Sequence, residues 1–373
     1  MSKQGEVALT NLQKQQDEKV SGIHVFFLIH SVQSGVGGLS FQREITEVAG
    51  HDSWMAVLLG GVLVNLAIFF MYLALKKRGE DVVALHQRIL GSRLGMIFSL
   101  MFMVYFISTG AAVLRTYIEL VQVWVFPEIS TWSISLVLIL LIYYVISGGF
   151  QVVVGISVLS VILPFYLLLL LVFPLQHADF TNLLPIGQLS FKELMGATKA
   201  MTFSYLGFCT LLMYYPLLKD GPRTQKFAHI GASYTTLIYF VVILISVAYY
   251  SEKQLLANVW PTFGLFKIVR FPFVERFEYV GVATWSFVIL DNVCLLLWAS
   301  HRVLKRLWPQ SRSILFMVIV LSLIFLENIL LTGRRDIATF NQWVTYWGLG
   351  INFLYLPLLY LLGLAKGWRG RAT

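Results

Sequence analysis

Long apolar runs recur along the whole chain, and they constrain its fold more than any other feature of the sequence. We count ten of them, at residues 22–41, 54–75, 95–124, 132–148, 151–173, 193–218, 227–250, 279–304, 312–332 and 338–365. A helix needs about 20 apolar residues to cross a bilayer core roughly 30 Å thick. Continuous apolar stretches such as 167–173 lack the alternation of transmembrane β-barrel strands. The sequence therefore predicts an all-α integral membrane protein with ten transmembrane helices.

Composition and charge agree with this prediction. The chain is 58% hydrophobic and 13% charged, against about 45–50% and 25% in soluble domains, which excludes a soluble enzyme with a polar surface. The net charge of +9 does not indicate nucleic-acid binding, because most of the basic residues lie in the loops on one predicted side of the membrane. Eighteen Lys and Arg fall on the side of the amino terminus and eight on the other. The positive-inside rule then places both termini in the cytoplasm.

The order of the runs divides the chain into two halves of five helices each. The predicted parts are a cytoplasmic tail (1–21), a first repeat (22–173), an external loop (174–192), a second repeat (193–365) that includes an external amphipathic segment (251–278), and a second cytoplasmic tail (366–373). Because five is odd, the second half must be inverted relative to the first.

The first helix of each half is interrupted. Ser34-Gly35-Val36-Gly37-Gly38 places three glycines at mid-membrane depth, and each costs about 1 kcal/mol relative to Ala in a helix. Phe203-Ser204-Tyr205-Leu206-Gly207 is a milder interruption in the sixth run. Broken helices in corresponding positions of two halves indicate a transporter fold with inverted repeats. We therefore expect a five-plus-five inverted repeat of the LeuT-like type, with helices 1 and 6 broken.

An unwound segment between two half-helices exposes backbone N–H groups at one helix end and carbonyl groups at the other. Such a pair of ends suits a zwitterion, with the carboxylate near Gly35 to Gly38 and the ammonium near Phe203 to Leu206. The predicted ligand-binding residues on these segments are Ser34, Gly35, Val36, Gly37, Gly38, Phe203, Ser204, Tyr205, Leu206 and Gly207. The alternative is that the glycines only permit close helix packing.

Polar side chains on other helices complete the candidate site. Tyr105 and Thr109 are four residues apart on the third helix and share a face. Asp291 and Asn292 lie in the middle of the eighth, where an ionisable group is costly and usually faces a cavity. A structural role for each remains open.

Two further intramembrane charges, Lys199 and Glu327, are candidates for an ion or proton pathway. Cys209 and Cys294 lack metal-ligand spacing, and the sequence contains no catalytic or cofactor-binding motif. We therefore expect no metal, no cofactor and no enzymatic activity.

Several motifs resemble those of one family, the B subunits of nutrient germinant receptors from endospore-forming bacteria (the GerAB family), within the amino acid/polyamine/organocation (APC) superfamily. The residues that carry the resemblance are Gln33-Ser34-Gly35-Val36-Gly37-Gly38, His51-Asp52-Ser53-Trp54, Gly148-Gly149, Leu163-Pro164-Phe165-Tyr166, Ser204-Tyr205-Leu206-Gly207, Trp260-Pro261-Thr262, Leu265-Phe266 and Phe273-Val274-Glu275-Arg276-Phe277-Glu278. The block from Trp260 to Glu278 is the most specific of these.

The resemblance implies a receptor subunit in the spore inner membrane that binds a small nutrient, often an amino acid. It also implies an A subunit and a lipoprotein C subunit as partners. Relatives often carry Glu two residues after the glycine of the sixth helix, where this chain has Cys209, so the nutrient need not be shared. A proton-coupled amino acid permease, a conduit for water or ions, and a structural scaffold are the alternatives.

Overall fold

The computed structural model describes residues 19–76, 78–269 and 276–366. Within these ranges the regular structure is helical, apart from one isolated bridge between Val20 and Leu218. Most of the two predicted tails, and motif residues 273–275, lie outside the described part of the chain.

The first half holds nine helices in the described residues. They are α1 (His24–Gln33), α2 (Gly37–Ala49), α3 (Trp54–Leu75), α4 (Val82–Leu90), α5 (Ser92–Trp124), α6 (Thr131–Ser147), α7 (Phe150–Ile162), α8 (Phe165–Leu169) and α9 (Val172–Leu175). The predicted first helix is therefore two helices, α1 and α2, with the break at residues 34–36. The predicted fifth helix is also divided at Pro164, because proline lacks the N–H that would continue the α-helical hydrogen bonds.

The second half holds nine more α-helices in the described residues. Its helices are α10 (Phe191–Tyr205), α11 (Leu211–Tyr214), α12 (Gln225–Tyr249), α13 (Glu252–Ala257), α14 (Pro261–Phe266), α15 (Phe277–Leu307), α16 (Ser313–Leu330), α17 (Arg334–Leu349) and α18 (Leu356–Ala365). The break in the sixth predicted helix falls between α10 and a 3₁₀ turn at Phe208–Thr210. A π-helical segment, Gly350–Tyr355, joins α17 to α18.

In the described part of the chain, seven stretches are long and apolar enough to cross a membrane. They are Gly37–Leu75, Ser92–Trp124, Phe150–Leu175, Gly221–Tyr249, Phe277–Leu307, Ser313–Leu330 and Arg334–Ala365. The helix α6 has only 17 residues, and the sixth predicted helix has no continuous stretch of that length because of its break. The chain is thus an all-helical membrane protein, while ten crossings stay a prediction.

The two broken helices lie in the centre of the bundle. The break after α1 packs near α7, α12 and α15, while α10 packs on α2 and α3. The long helices α5 and α15 pack against each other and close the remaining side. In the described part of the predicted external segment, Phe263, Leu265 and Phe266 of α14 are buried, and α14 packs on α2, α12 and α15.

Glycine permits the close contact of α3 with α12, which supports one side of the second break. A Cβ atom added at Gly61 would overlap the side chain of Thr236. We predict that Gly61→Leu destabilises the protein by about 1–3 kcal/mol, because overpacking forces the helices apart. The measurement is thermal unfolding of purified protein in detergent. Gly155→Leu is the matched control, since a Cβ there meets no atom within 4 Å, and equal melting temperatures would contradict the prediction.

Candidate functional site

The two helix breaks touch each other directly. A Cβ atom at Gly37 would lie 2.7 Å from the Cα atom of Ser204. A Cβ at Gly35 would lie 2.7 Å from Oδ1 of Asn292. Gly207 adopts a left-handed conformation with φ of 99°, which an L side chain rarely adopts. The glycines therefore allow both the turn of the second break and the close approach of the first break to it.

Side chains satisfy the carbonyl groups that the two breaks release. Nε2 of Gln33 donates to the carbonyl of Tyr205 at 3.2 Å. The hydroxyl of Tyr239 lies 2.5 Å from the carbonyl of Gln33 and 3.2 Å from that of Ser204. Nδ2 of Asn292 donates to the carbonyl of Ser31 at 2.9 Å. Three buried side chains thus connect α1, α10, α12 and α15 at the level of the breaks.

A small enclosed cavity, which we name the central cavity, lies between the two breaks. It is lined by Val32, Gln33, Gly35, Val36, Gly37, Thr109, Val113, Phe203, Ser204, Leu206, Gly207, Asn292 and Leu296. Its volume is about 10 Å³, roughly the room that one water needs. Nine of the predicted site residues are in this lining, drawn from both breaks, α5 and α15.

The other predicted ligand-binding residues lie elsewhere. Ser34 and Gly38 face a different cavity on the opposite side of the first break. The hydroxyl of Tyr205 donates to the carbonyl of Val57. Tyr105 is buried against the π-helical segment, where Nδ2 of Asn352 donates to its hydroxyl at 3.4 Å.

Asp291 forms a separate contact. Its Oδ1 accepts a hydrogen bond of 2.5 Å from Ser157 of α7, and the residue has no exposed surface. Lys199 places its ammonium 4.5 Å from the ring centre of Tyr346. Glu327 is half-buried on α16. None of these three lies among the residues that line the central cavity.

Four residues of the central cavity were not among the predicted site residues. They are Val32, Gln33, Val113 and Leu296. Gln33 could have been predicted from the sequence, because it is a polar residue at membrane depth directly before the glycine-rich segment. The other three are apolar residues in apolar helices, and nothing in the sequence distinguishes them from their neighbours.

The central cavity holds donors and acceptors without protein partners. Among the described residues, no acceptor bonds to the N–H groups of Gly35, Val36 and Gly37, which lie at the positive end of α2. Oε1 of Gln33 and Oγ of Ser204 are buried without a partner in the same part of the structure. N–H groups at a helix N-terminus favour an anion, and the two side-chain oxygens favour a donor. The groups around the cavity therefore offer separate hydrogen-bond partners to an anionic group and to a cationic group.

A much larger cavity, which we name the vestibule, adjoins the central cavity. Its volume is about 650 Å³, and Phe203 lines both spaces. The charged residues in its wall are Arg43, Glu44, Glu47, Glu119, Lys199, Arg334 and Arg335. An ion pair of 3.0 Å joins Glu119 to Arg334. Phe203 therefore lies between the vestibule and the central cavity.

Two of the motifs singled out in the sequence hold loops in place near the site. Asp52 accepts backbone hydrogen bonds from Gly187 and Gln188 at 3.0 and 2.9 Å. Thr262 donates to the carbonyl of Gly38 at 3.0 Å and lies 2.6 Å from Nε2 of Gln42. The external segment is thus bonded directly to the first turns of α2.

Two solved structures share the fold of this chain. A Na⁺-coupled sialic acid symporter in a substrate-bound outward-open state aligns with a TM-score of 0.64 and 13% identity, over 90% of this chain and 79% of that one. MhsT in complex with L-phenylalanine aligns with a TM-score of 0.61 and 15% identity, over 93% and 89%. The class of protein is thus a multi-pass helical membrane protein with a LeuT-like fold.

The chain belongs to the Spore_permease family of spore germination proteins, whose family model matches residues 19–337. GerQB of Bacillus cereus is 40% identical over 348 residues, which are 93% of this chain and 96% of that protein. Spore germination protein A2 of Bacillus subtilis (strain 168) is 22% identical over 368 residues, which are 95% and 98%. These matches confirm the resemblance to germinant receptor B subunits. The proteins of this family are not enzymes.

The hydroxyl of Tyr239 bonds to a carbonyl group of each break. We predict that Tyr239→Phe destabilises the protein by about 1–3 kcal/mol, because the two buried carbonyl groups lose the one proton that this hydroxyl shares between them. The measurement is thermal unfolding in detergent, compared with Tyr144→Phe. Tyr144 is 77% exposed, so its variant should melt like the wild type. If Tyr239→Phe melted at the same temperature as this control, the hydrogen bonds of the Tyr239 hydroxyl would contribute nothing to stability.

Proposed function

We propose that this chain is the nutrient-binding subunit of a spore germinant receptor, and that it binds an amino acid in the central cavity. The observation that carries the proposal is that the N–H groups of Gly35, Val36 and Gly37 and the side-chain oxygens of Gln33 and Ser204 have no partner among the described residues, and that all five residues line the same cavity. A free amino acid has one carboxylate and one ammonium at a fixed short separation. The carboxylate takes the N–H groups, and the ammonium takes the two oxygens.

This assignment revises one detail of the prediction from sequence. The ammonium was expected at the backbone carbonyls of the sixth helix. The carbonyls of Ser204 and Tyr205 already accept hydrogen bonds from Tyr239 and Gln33. The side-chain oxygens of Gln33 and Ser204 are the better partners, because they are buried without donors in the described structure.

Binding in this way requires the breaks to separate. The central cavity of about 10 Å³ is far below the roughly 300–1,000 Å³ of ligand pockets. We infer that the ligand enters from the vestibule past Phe203 and stabilises a more open arrangement of α1, α2 and α10. A ligand that binds one conformation better shifts the population toward it, and this shift is the signal.

The partners of the receptor are the A subunit and the lipoprotein C subunit, as the family resemblance implies. We place the chain in the spore inner membrane with ten crossings and both termini in the cytoplasm. The distribution of Lys and Arg between the loops supports this orientation.

One observation favours a second function, a proton-coupled amino acid permease. The solved structures that share the fold include a Na⁺-coupled symporter. Asp291 is fully buried, and Oε2 of Glu327 is buried without a partner among the described residues. Carboxyl groups in such positions are typical of proton relays in transporters.

The binding site is tested first on purified protein with a panel of amino acids. We predict that at least one of them raises the melting temperature, with a stabilisation of about 2.7 kcal/mol at a hundred times its dissociation constant. Gly37→Ala should abolish that shift, because its Cβ would lie 2.7 Å from the backbone of Ser204. Gly155→Ala, in open space, should retain it.

The same variants are then compared in spores. Gly37→Ala spores should lose the response to that amino acid while still germinating with a receptor-independent trigger. A normal nutrient response in these spores would contradict the assignment of the site to the central cavity.

The permease is tested by transport of the amino acid that binds. In proteoliposomes with a pH gradient, a permease should accumulate the labelled amino acid, and Asp291→Asn should abolish accumulation while leaving the thermal shift in place. The reason is that the amide cannot carry a proton between the two sides. Binding without accumulation in the wild type would leave the receptor as the function.

A further inference from the structure

A second enclosed space, which we name the side cavity, lies behind the first helix break. It has a volume of about 70 Å³. Ser34 and Gly38 line it, whereas Gly35, Val36 and Gly37 line the central cavity. The two linings share no residue in the described part of the chain. The unwound segment is therefore a wall with one cavity on each side.

The side cavity is mostly apolar and carries no formal charge. Leu167, Leu168, Leu171 and Val242 form much of its wall, and no Asp, Glu, Lys or Arg is among the described residues that line it. A charged ligand would lose its hydration there without a counter-charge, which costs several kcal/mol or more. The lining therefore selects for a neutral, largely apolar molecule.

Most polar groups in the lining already have partners. Nδ1 of His30 lies 2.8 Å from Oγ1 of Thr235, and Thr262 and Tyr239 bond to the backbone of the first break. The indole of Trp285 differs, because its N–H is buried without an acceptor among the described residues. A buried donor without a partner destabilises the structure. A ligand with one acceptor oxygen removes this cost.

One wall of the side cavity borders the membrane. Phe165 is in its lining and is 51% exposed. It belongs to the stretch Phe150–Leu175, which is long and apolar enough to cross a bilayer. The side chain of Phe165 therefore separates the side cavity from the lipid, and a movement of this side chain would admit a molecule that is dissolved in the bilayer.

We propose that the side cavity binds a neutral apolar molecule with one hydrogen-bond acceptor, which enters from the bilayer and accepts from the Trp285 indole. Its occupant contacts the first break at Ser34 and Gly38, on the side away from the central cavity. Because the central cavity must enlarge to admit its ligand, an occupant behind the break opposes that movement. The effect on nutrient binding rests on the function proposed above, whereas the site itself does not.

The test is photolabelling of the purified full chain in detergent with a diazirine derivative of hexanol, followed by mass spectrometry. We expect saturable labelling of residues in the side cavity and competition by unlabelled hexanol. Trp285→Phe should raise the half-saturating concentration of the probe about three- to tenfold, because the loss of one hydrogen bond weakens binding by this factor. Leu168→Trp, which fills the cavity, should remove the saturable component.

Leu163→Trp is the matched control, because Leu163 is 40% exposed on the same stretch and lies outside the lining. It should label like the wild type. Labelling that rises linearly with concentration, or that is equal in Leu168→Trp and Leu163→Trp, would overturn the proposal. A three- to tenfold weaker competition by hexanol in Trp285→Phe supports the site even if Leu168→Trp fails to fold.

The consequence for nutrient binding is measured separately. Hexanol should weaken the thermal shift given by the amino acid in the wild type and not in Leu168→Trp. Saturable labelling without a change in melting temperature on adding any amino acid would support the side cavity and reject the proposed function. A change in melting temperature without saturable labelling would support the proposed function and reject the side cavity.

Discussion

The structure depends on the pairing of backbone groups at two helix breaks inside a membrane. An unpaired carbonyl or N–H group in hydrocarbon costs several kcal/mol, so an interrupted helix persists only where protein or a polar cavity supplies partners. Here Gln33, Tyr239 and Asn292 supply them for the carbonyl groups. These three bonds determine which helices must surround the breaks, since the donors come from α1, α12 and α15. The N–H groups at the start of α2 lack such partners in the described structure, and this asymmetry is the basis of the binding site that we propose at the centre of the bundle.

The breaks were predictable from sequence because their cause is local. Three glycines in five residues at membrane depth raise the free energy of a continuous helix. The family motif includes the same segment. The family itself was also predictable, since whole motifs carry the resemblance. The direction of a side chain around a helix was not. Asp291 and Asn292 are adjacent in sequence, yet neighbouring positions on a helix point about 100° apart. Only Asn292 lines the central cavity, while Asp291 bonds to Ser157.

The spacing of Tyr105 and Thr109 illustrates a second limit. Residues four apart share a helix face, and the hydroxyl of Thr109 donates to the backbone carbonyl of Tyr105 within the helix. Yet only Thr109 is in the cavity wall. The side chain of Tyr105 points toward Asn352 in the π-helical segment, 247 positions away in sequence. Long-range contacts of this kind, like that between Tyr239 and Gln33, depend on how the two halves pack and leave no pattern in either segment.

The two functions compatible with this fold differ in which end of the first broken helix must move. Ahead of α1, the N–H of Val20 donates to the carbonyl of Leu217, and the N–H of Lys219 donates to the carbonyl of Val20. This bridge ties the start of the first broken helix to the end of the second. Two such bonds contribute about 1–3 kcal/mol in total, which is less than the roughly 4–8 kcal/mol released by a ligand of millimolar to micromolar affinity. The proposed permease would have to break the bridge in each cycle if it released its ligand at that end. The proposed receptor would not have to break it, and the free energy of binding would then be available to move α2 and the external segment, which is bonded to α2 through Thr262.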